Sequence, residues 1–172
     1  MKIKSLLYYI LFFFVLINSY LKADTIFFDS KNIKIENEGK MIFATKGKAN
    51  IPSKNLIIEG DKFIYDKEIS ELIVIDDVKY FDNENKIFIE SDKIIYNEID
   101  NTIFSKSRTY IVSDDNYKIN SSDVLYNRNI NKISSNEATT VTDINKNKFI
   151  FNKGLNFELS NEIISSKEIV VT

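Results

Sequence analysis

Four aromatic residues, spaced by 31, 30 and 31 residues, divide most of this chain into copies of one pattern. They are Tyr65, Tyr96, Tyr126 and Phe157. The residues around them recur too, since Asp61–Asp66 reads DKFIYD and Asp92–Asn97 reads DKIIYN. A fixed period of this length is typical of a repeat architecture, in which each copy adds one unit to a shared core. Repeat proteins of this kind usually act through a continuous surface or groove.

Each repeat divides into four short stretches rich in Ile, Val, Phe, Tyr and Thr, which fit a pleated, half-buried surface. In one repeat the stretches are Asn55–Glu59, Asp61–Asp66, Glu71–Ile75 and Val78–Phe81. Apolar residues alternate within them, as Phe63 with Tyr65 and Ile87 with Ile89. No stretch after the N-terminal segment keeps a 3.6-residue period, so the sequence predicts an all-β protein.

The breaks between the stretches are of two kinds. Polar breaks such as Asp66–Ser70 and Asp82–Asn85 have the length and composition of hairpin turns. Shorter breaks, at Gly60-Asp61, Asp76-Asp77 and Ser91-Asp92, read as corners within long bent strands. Corners that stack at one height predict a folded antiparallel sheet, in which two leaves face each other across a crease. Each repeat of two strands then adds about 10 Å along the crease.

The inner faces of the two leaves must be apolar. The residues predicted to face inward are Ile58, Tyr65, Leu72, Ile89, Tyr96, Ile103, Tyr126, Ile133, Phe157 and Ile163. A β-helix, with repeats stacked in parallel, is the rival architecture that the period permits. Long polar loops at two alternating places favour hairpins, and the Asn ladders and regular Gly turns of solenoids are absent from the sequence.

Composition excludes several classes of function. The chain has no Cys and no His, which removes thiol nucleophiles, disulfides, Cys/His zinc sites and imidazole chemistry. Asp76-Asp77 and Asp114-Asp115 lack the spacing of a calcium loop and read as solvated turns. A net charge of −2 gives no reason to expect a nucleic-acid partner. We therefore expect a non-enzymatic protein without a cofactor or a metal.

The two ends of the chain carry predictions of their own. Lys2 and Lys4 precede the apolar run 6–17, and Ala23 is a small residue at a plausible cleavage point. This pattern predicts an export signal at 1–23 and one mature domain at 24–172, with a retained anchor as the alternative. The final stretch, Glu168–Thr172, ends in mid-repeat. It predicts either a longer parent chain or an edge strand that pairs with a partner.

The mature chain resembles the OstA-like domain of the lipopolysaccharide transport family. The resemblance rests on the export signal, the opening 23–28, the Lys86–Asp92 stretch and the recurring Asp-Lys-x-Ile-Tyr motif. It implies a β-jellyroll ("β-taco") that holds the acyl chains of lipid A and joins other OstA-like modules through edge strands. It also implies outer-membrane translocon components as partners, and a place in the periplasm or outer membrane. The unfinished last repeat favours the N-terminal periplasmic domain of the outer-membrane assembly protein over the periplasmic bridge protein.

With that resemblance, the inward-facing residues become candidates for lining a lipid groove. The groove candidates are Ile58, Phe63, Tyr65, Leu72, Ile89, Tyr96, Ile103, Tyr126, Ile133 and Phe157. The alternative is a non-enzymatic surface or adhesive β-repeat protein, because most buried aromatic residues only pack a core. The two hypotheses differ in the space between the leaves, which a conduit should leave partly open and an adhesin should fill.

Overall fold

The computed structural model describes residues 25–114, 116–166 and 169–171. The predicted export signal at 1–23 lies outside these residues and stays a prediction. Within the described ranges, no helix is long and apolar enough to cross a membrane.

Fifteen strands form a single sheet in the described part of the chain. The first five are long: β1 (Phe27–Glu36), β2 (Met41–Ile51), β3 (Leu56–Asp66), β4 (Glu71–Asp82) and β5 (Ile87–Asn97). The next six are β6 (Thr102–Ser105), β7 (Thr109–Ser113), β8 (Tyr117–Ser121), β9 (Val124–Asn127), β10 (Lys132–Ser135) and β11 (Thr139–Asp143). The last four are β12 (Lys148–Phe151), β13 (Leu155–Glu158), β14 (Ile163–Ser165) and β15 (Ile169–Val171). Single-turn 3-10 helices at Asn37–Gly39, Pro52–Lys54 and Leu159–Asn161 occupy three of the connections.

The sheet splits into two leaves after β5. One half of β5 pairs with β6, which leads through β9, β10 and β13 to β14; we call this leaf A. The other half pairs with β7, which leads through β8, β11 and β12 to β15; we call this leaf B. Strands β1 to β5 run through both leaves and join them. Every pairing in the described residues is antiparallel, so the folded antiparallel sheet is confirmed and the β-helix alternative is wrong.

The crease runs through the predicted corners. The β3–β4 register breaks between Glu59 and Lys62, and the β4–β5 register breaks between Ile75 and Val78. Asp76 and Asp77, inside the second break, have φ of 64° and 49°, a left-handed conformation that Asp adopts more readily than β-branched or bulky residues do. In β2 and β3 the crease is instead made by Gly47 and Gly60, which face each other across the strand pair.

Gly47 is needed at the crease because the backbone of β1 lies against it. A Cβ atom there would be 2.1 Å from the Asp29 carbonyl oxygen and 2.7 Å from the Ser30 Cα. Gly47→Ala is therefore expected to lower the free energy of unfolding by about 1–3 kcal/mol, measured by urea denaturation. Gly60→Ala differs, because its Cβ would meet Cγ1 of Val74 at 2.4 Å, and a side chain can be shortened. The double variant Gly60→Ala with Val74→Ala should therefore lose less free energy of unfolding than the sum of the two single variants. If Gly47→Ala lowered the free energy of unfolding no more than a substitution at an exposed surface position, the role of Gly47 would be contradicted.

Later in the chain, buried hydroxyls replace glycine at the crease. The Ser91 Oγ lies 2.8 Å from the Ser105 Oγ, to which Thr109 donates at 2.8 Å. The equivalent residues also meet one repeat later, where the Ser121 Oγ donates to the Ser135 Oγ at 2.8 Å and lies 2.6 Å from the Thr139 Oγ1. All six residues are buried. These hydroxyls satisfy one another where the strands break, so the crease stays closed without an unpaired polar atom at these positions.

Candidate lipid groove and its mouth

The structure places all ten groove candidates between the leaves. Seven of them form one row across leaf A, each directly opposite the next on the neighbouring strand. The row is Tyr65, Leu72, Tyr96, Ile103, Tyr126, Ile133 and Phe157. Phe63 lies on the same face of leaf A, while Ile58 and Ile89 face it from leaf B, opposite Tyr80. With strands about 4.8 Å apart, the row is about 29 Å long.

Ile163, which we expected to face inward, is 53% exposed. Its neighbour Ile164 takes the inner place, opposite Phe157. The inner position lies 31 residues after Ile133, whereas the predicted Ile163 lies 30 residues after it. The difference of one residue follows the 3-10 turn Leu159–Asn161. A shift of one residue moves a side chain to the other face of a strand, so the prediction for Ile163 was wrong.

The space between the leaves is filled at these ten positions. Their exposed fractions range from 0% for Ile58, Leu72, Tyr96, Tyr126 and Phe157 to 7% for Tyr65. A side chain with no accessible surface borders no gap as wide as a water molecule, so an acyl chain has no room beside it in this arrangement. Two apolar faces in water approach until they pack, and this is the state described. Any lipid held here must separate the leaves.

The leaves also meet at a mouth, the long side opposite the crease, where the hairpins of both leaves lie. One contact across it joins Arg128, in the hairpin after β9 of leaf A, to Asp82, at the end of β4 in leaf B. The distances are 2.6 Å from Nε to Oδ2 and 3.1 Å from Nη2 to Oδ1. The two side chains are 5% and 0% exposed. This is a buried bidentate ion pair.

Further hydrogen bonds complete this ion pair. The Tyr126 hydroxyl donates to Asp82 Oδ2 at 3.1 Å. Arg128 Nη2 also donates to the Glu84 carboxylate at 2.9 Å and to the Lys54 carbonyl at 3.1 Å. A buried ion pair is tolerated when its remaining donors and acceptors are satisfied in this way.

The ion pair holds its members in their charged or donating forms. Burial acts to raise the pKa of Asp82, but hydrogen bonds from Arg128 and Asn85 outweigh it, and the net pKa lies below the usual value. Burial and the Asp82 charge raise the pKa of Tyr126, so its hydroxyl remains a donor. Burial acts to lower the pKa of Arg128, but the bonds to Asp82 raise it overall.

The lowered pKa of Asp82 predicts how its contribution depends on pH. A carboxylate whose pKa is lower in the folded state stabilises the fold above its unfolded value, here 3.8, and loses that effect as pH falls through the folded value. The difference in free energy of unfolding between wild type and Asp82→Asn should therefore be constant from neutral pH to about 4 and shrink below it. Urea denaturation across that range measures it. Asp76→Asn is the control, since Asp76 pairs with Lys62 on the surface; a difference that grew in acid would contradict the ion pair.

Two more side-chain contacts cross the mouth. Lys54 Nζ donates to the Tyr96 hydroxyl at 3.0 Å and to the Glu98 carbonyl at 3.2 Å. The Tyr117 hydroxyl donates to Glu162 Oε2 at 3.4 Å, and the Tyr117 ring packs edge-on against Phe157 with centroids 5.0 Å apart. We call the three cross-leaf contacts the mouth clasp. Its members are Lys54, Asp82, Glu84, Tyr96, Glu98, Tyr117, Tyr126, Arg128 and Glu162.

Sequence reasoning missed the mouth clasp. It assigned Asp82 to a polar turn, and it read Tyr96 and Tyr126 only as groove lining. One signal was present: the partners Lys54–Glu98 and Glu84–Arg128 are both separated by 44 residues, and Tyr117–Glu162 by 45. The three contacts therefore lie about one repeat apart along the chain. Asp76 and Asp114, which were predicted to lie in solvated turns, form surface ion pairs with Lys62 and Lys86.

Tyr80 carries a hydroxyl that finds no hydrogen-bond partner among the described residues, although the side chain is fully buried. Its ring lies edge-on to that of Tyr126, with centroids 6.4 Å apart. Tyr80→Phe should raise the free energy of unfolding by about 1 kcal/mol, because it removes an unpaired polar atom. Tyr126→Phe is the matched control and should lower it, since its hydroxyl bonds to Asp82. The same sign for both changes in thermal or urea unfolding would refute this reading.

The geometry defines a class of protein: an antiparallel β-jellyroll, folded along a crease, with apolar inner faces. The described residues contain no group of three or more His, Cys, Asp or Glu side chains that could hold a metal. No protein family matches the sequence, and no curated protein matches it. Twelve chains of solved structures do match.

One of these is the crystal structure of LptH, the LptA homologous periplasmic component of the conserved lipopolysaccharide transport device from Pseudomonas aeruginosa. The TM-score is 0.62 at 11% identity, over 70% of this chain and 95% of that one. At this identity the likeness establishes the fold, and it confirms the β-jellyroll that the sequence resemblance implied.

Proposed function

We propose that this protein takes part in lipopolysaccharide transport, by holding the acyl chains of lipid A between leaf A and leaf B. The observation that carries the proposal is the unbroken inner row from Tyr65 to Phe157, in a sheet with the fold of LptH. The row alternates aromatic and aliphatic side chains on successive strands. It presents an apolar surface along the crease, which is what a lipid with several acyl chains requires.

The energetics suit a carrier that both loads and releases. Each methylene moved from water to an apolar site contributes about 0.8 kcal/mol. Separating the leaves exposes side chains that are now packed, and the acyl chains would cover them again, so the net affinity is smaller than the area alone suggests. Rungs of similar chemistry also give similar binding along the row, which lets a lipid slide without a deep trap.

The proposal includes the setting and the partners of the protein. The signal predicted at 1–23 would deliver the domain 24–172 to the periplasm, where it would act without catalysis. Strand β1 pairs only with β2 in the described sheet, and it exposes Phe27, Ile33 and Ile35 at 56%, 48% and 61%. An edge of this kind can add a strand from another OstA-like module or a translocon component.

Photo-crosslinking to lipopolysaccharide in cells tests the proposal. A photoreactive residue at Phe63 or Ile89, on the inner faces, should form a lipopolysaccharide adduct. The matched controls are Ile64 and Phe88, the next residues along the same strands, which point to the outside because successive side chains alternate. No adduct at either inner position, or equal adducts at the inner and outer positions, would refute lipid carriage.

The packed interior favours one competing function, a surface or adhesive β-repeat protein with a solid core. Tyr80, Tyr96 and Tyr126 are each 0% exposed, as in a core that never opens. The same crosslinking experiment separates the two hypotheses, because a permanently closed core gives no lipid adduct from inside. The fold shared with LptH weighs toward the carrier.

A further inference from the structure

We infer that acyl chains enter the groove sideways, through the mouth, and that the mouth clasp must come undone to admit them. This inference rests on the proposed function and adds the route of loading to it. The clasp lies on the long side of the groove opposite the crease, and it joins leaves that also meet at the crease and through apolar packing.

Backbone connections show why the mouth is the side that can part. At the crease, β1 to β5 run through both leaves as continuous chain. At the mouth, the backbone hydrogen bonds between hairpins in the described residues stay within one leaf. Arg128 N donates to the Asn101 carbonyl within leaf A, and Asn83 N donates to the Asn55 carbonyl within leaf B. The hairpins along the mouth side of each leaf, which we call its rim, are thus bonded to one another within that leaf, and each leaf can move as a unit.

In the part of the chain that the structure describes, the hydrogen bonds reported above across the mouth come from side chains, at three places about one repeat apart. Lys54 reaches Glu98, Arg128 reaches Asp82 and Glu84, and Tyr117 reaches Glu162. Side-chain contacts can be broken one by one without breaking a strand ladder. The groove candidates Tyr96 and Tyr126 supply hydroxyls to this clasp, so the row that would hold the lipid also holds the mouth shut.

The contacts of the clasp differ in their exposure to solvent, from buried to exposed. Asp82 is fully buried, whereas the Glu84 side chain that shares Arg128 is 66% exposed. The Tyr117–Glu162 contact is also exposed and, at 3.4 Å, is the longest of the three. Solvent-exposed contacts of this kind contribute little, so the mouth can begin to open there before the buried ion pair separates.

A crosslink across the mouth tests the route, and the absence of native cysteine makes the labelling clean. The test variant carries Glu84→Cys and Asn129→Cys, on opposite rims, joined by a short bismaleimide. The control carries Asp100→Cys and Asn129→Cys, both in leaf A, where Asn129 Nδ2 lies 3.1 Å from the Asp100 carbonyl. Each double-cysteine variant loses one acidic and one amide side chain, so the two variants differ in whether the linker crosses the mouth or stays within leaf A. Loading is read as the adduct of purified lipopolysaccharide with a photoreactive residue at Phe63.

Linking the rims should lower the adduct by about tenfold or more, while linking within leaf A should leave it within about twofold. An undiminished adduct in the mouth-linked protein would overturn sideways loading and show that acyl chains thread from the ends. Equal losses in both linked proteins would also overturn it, because the effect would not belong to the mouth. If neither variant forms an adduct before linking, the proposed function itself fails, and the inference fails with it.

Discussion

Replacing Arg128 with Met is expected to lower the free energy of unfolding by about 3–5 kcal/mol. Asp82 would keep its place in the interior with 0% exposure but lose its counter-charge and two hydrogen bonds. An uncompensated buried carboxylate must either stay charged at high cost or take up a proton. Urea denaturation at neutral pH measures the loss.

A double variant separates two effects on the free energy of unfolding: the cost of leaving Asp82 buried without a partner, and the net contribution of the ion pair. Asp82→Leu combined with Arg128→Met removes both charges and leaves apolar side chains, which can pack in a core about as well as an ion pair. We expect the double variant to recover most of the stability lost by Arg128→Met. If Arg128→Met costs under about 1 kcal/mol, the pair behaves as a surface contact and the buried geometry is wrong.

Phe157→Ala should also lower the free energy of unfolding by about 3–5 kcal/mol. Phe157 is fully buried at one end of the inner row, opposite Ile133 and Ile164, and it packs edge-on against Tyr117. Truncation removes both the buried apolar area and the aromatic contact, and it leaves a cavity that the sheet can only partly fill. Thermal or urea unfolding of the purified domain measures the change.

Two further variants calibrate that result. Phe157→Leu keeps most of the volume and should cost clearly less than Phe157→Ala. Leu125→Ala alters a side chain on the outer face of the same leaf, 39% exposed, and should cost under about 1 kcal/mol. If Phe157→Ala were no worse than Leu125→Ala, Phe157 would not be part of a packed interior.

Local rules explain why so much of the fold could be predicted. The alternation of Phe63 with Tyr65 and of Ile87 with Ile89 depends only on the two-residue period of a strand. The hairpins at 67–70 and 83–86 follow polar breaks, and the corners at Gly60 and Asp76 follow residues that adopt unusual backbone geometry. Each of these features is decided within a few residues, so the folded sheet could be predicted before its structure was known.

The error at Ile163 marks the limit of this reasoning. A repeat that varies between 30 and 31 residues predicts the strand but not its register, and one residue exchanges the inner and outer faces. The pairing of Phe157 with Ile164 is settled by the neighbouring strand, not by the interval.

The amino-acid sequence by itself determined the repeat, the all-β fold class and the row of inward-facing residues, because these follow from periodicity and turn chemistry along the chain. Tertiary structure alone decided that the leaves pack closed and that Arg128 reaches Asp82, a partner 46 residues away. The physical reason is distance along the chain: a side chain's burial and partners depend on how two leaves approach each other, and no short stretch of sequence encodes that approach.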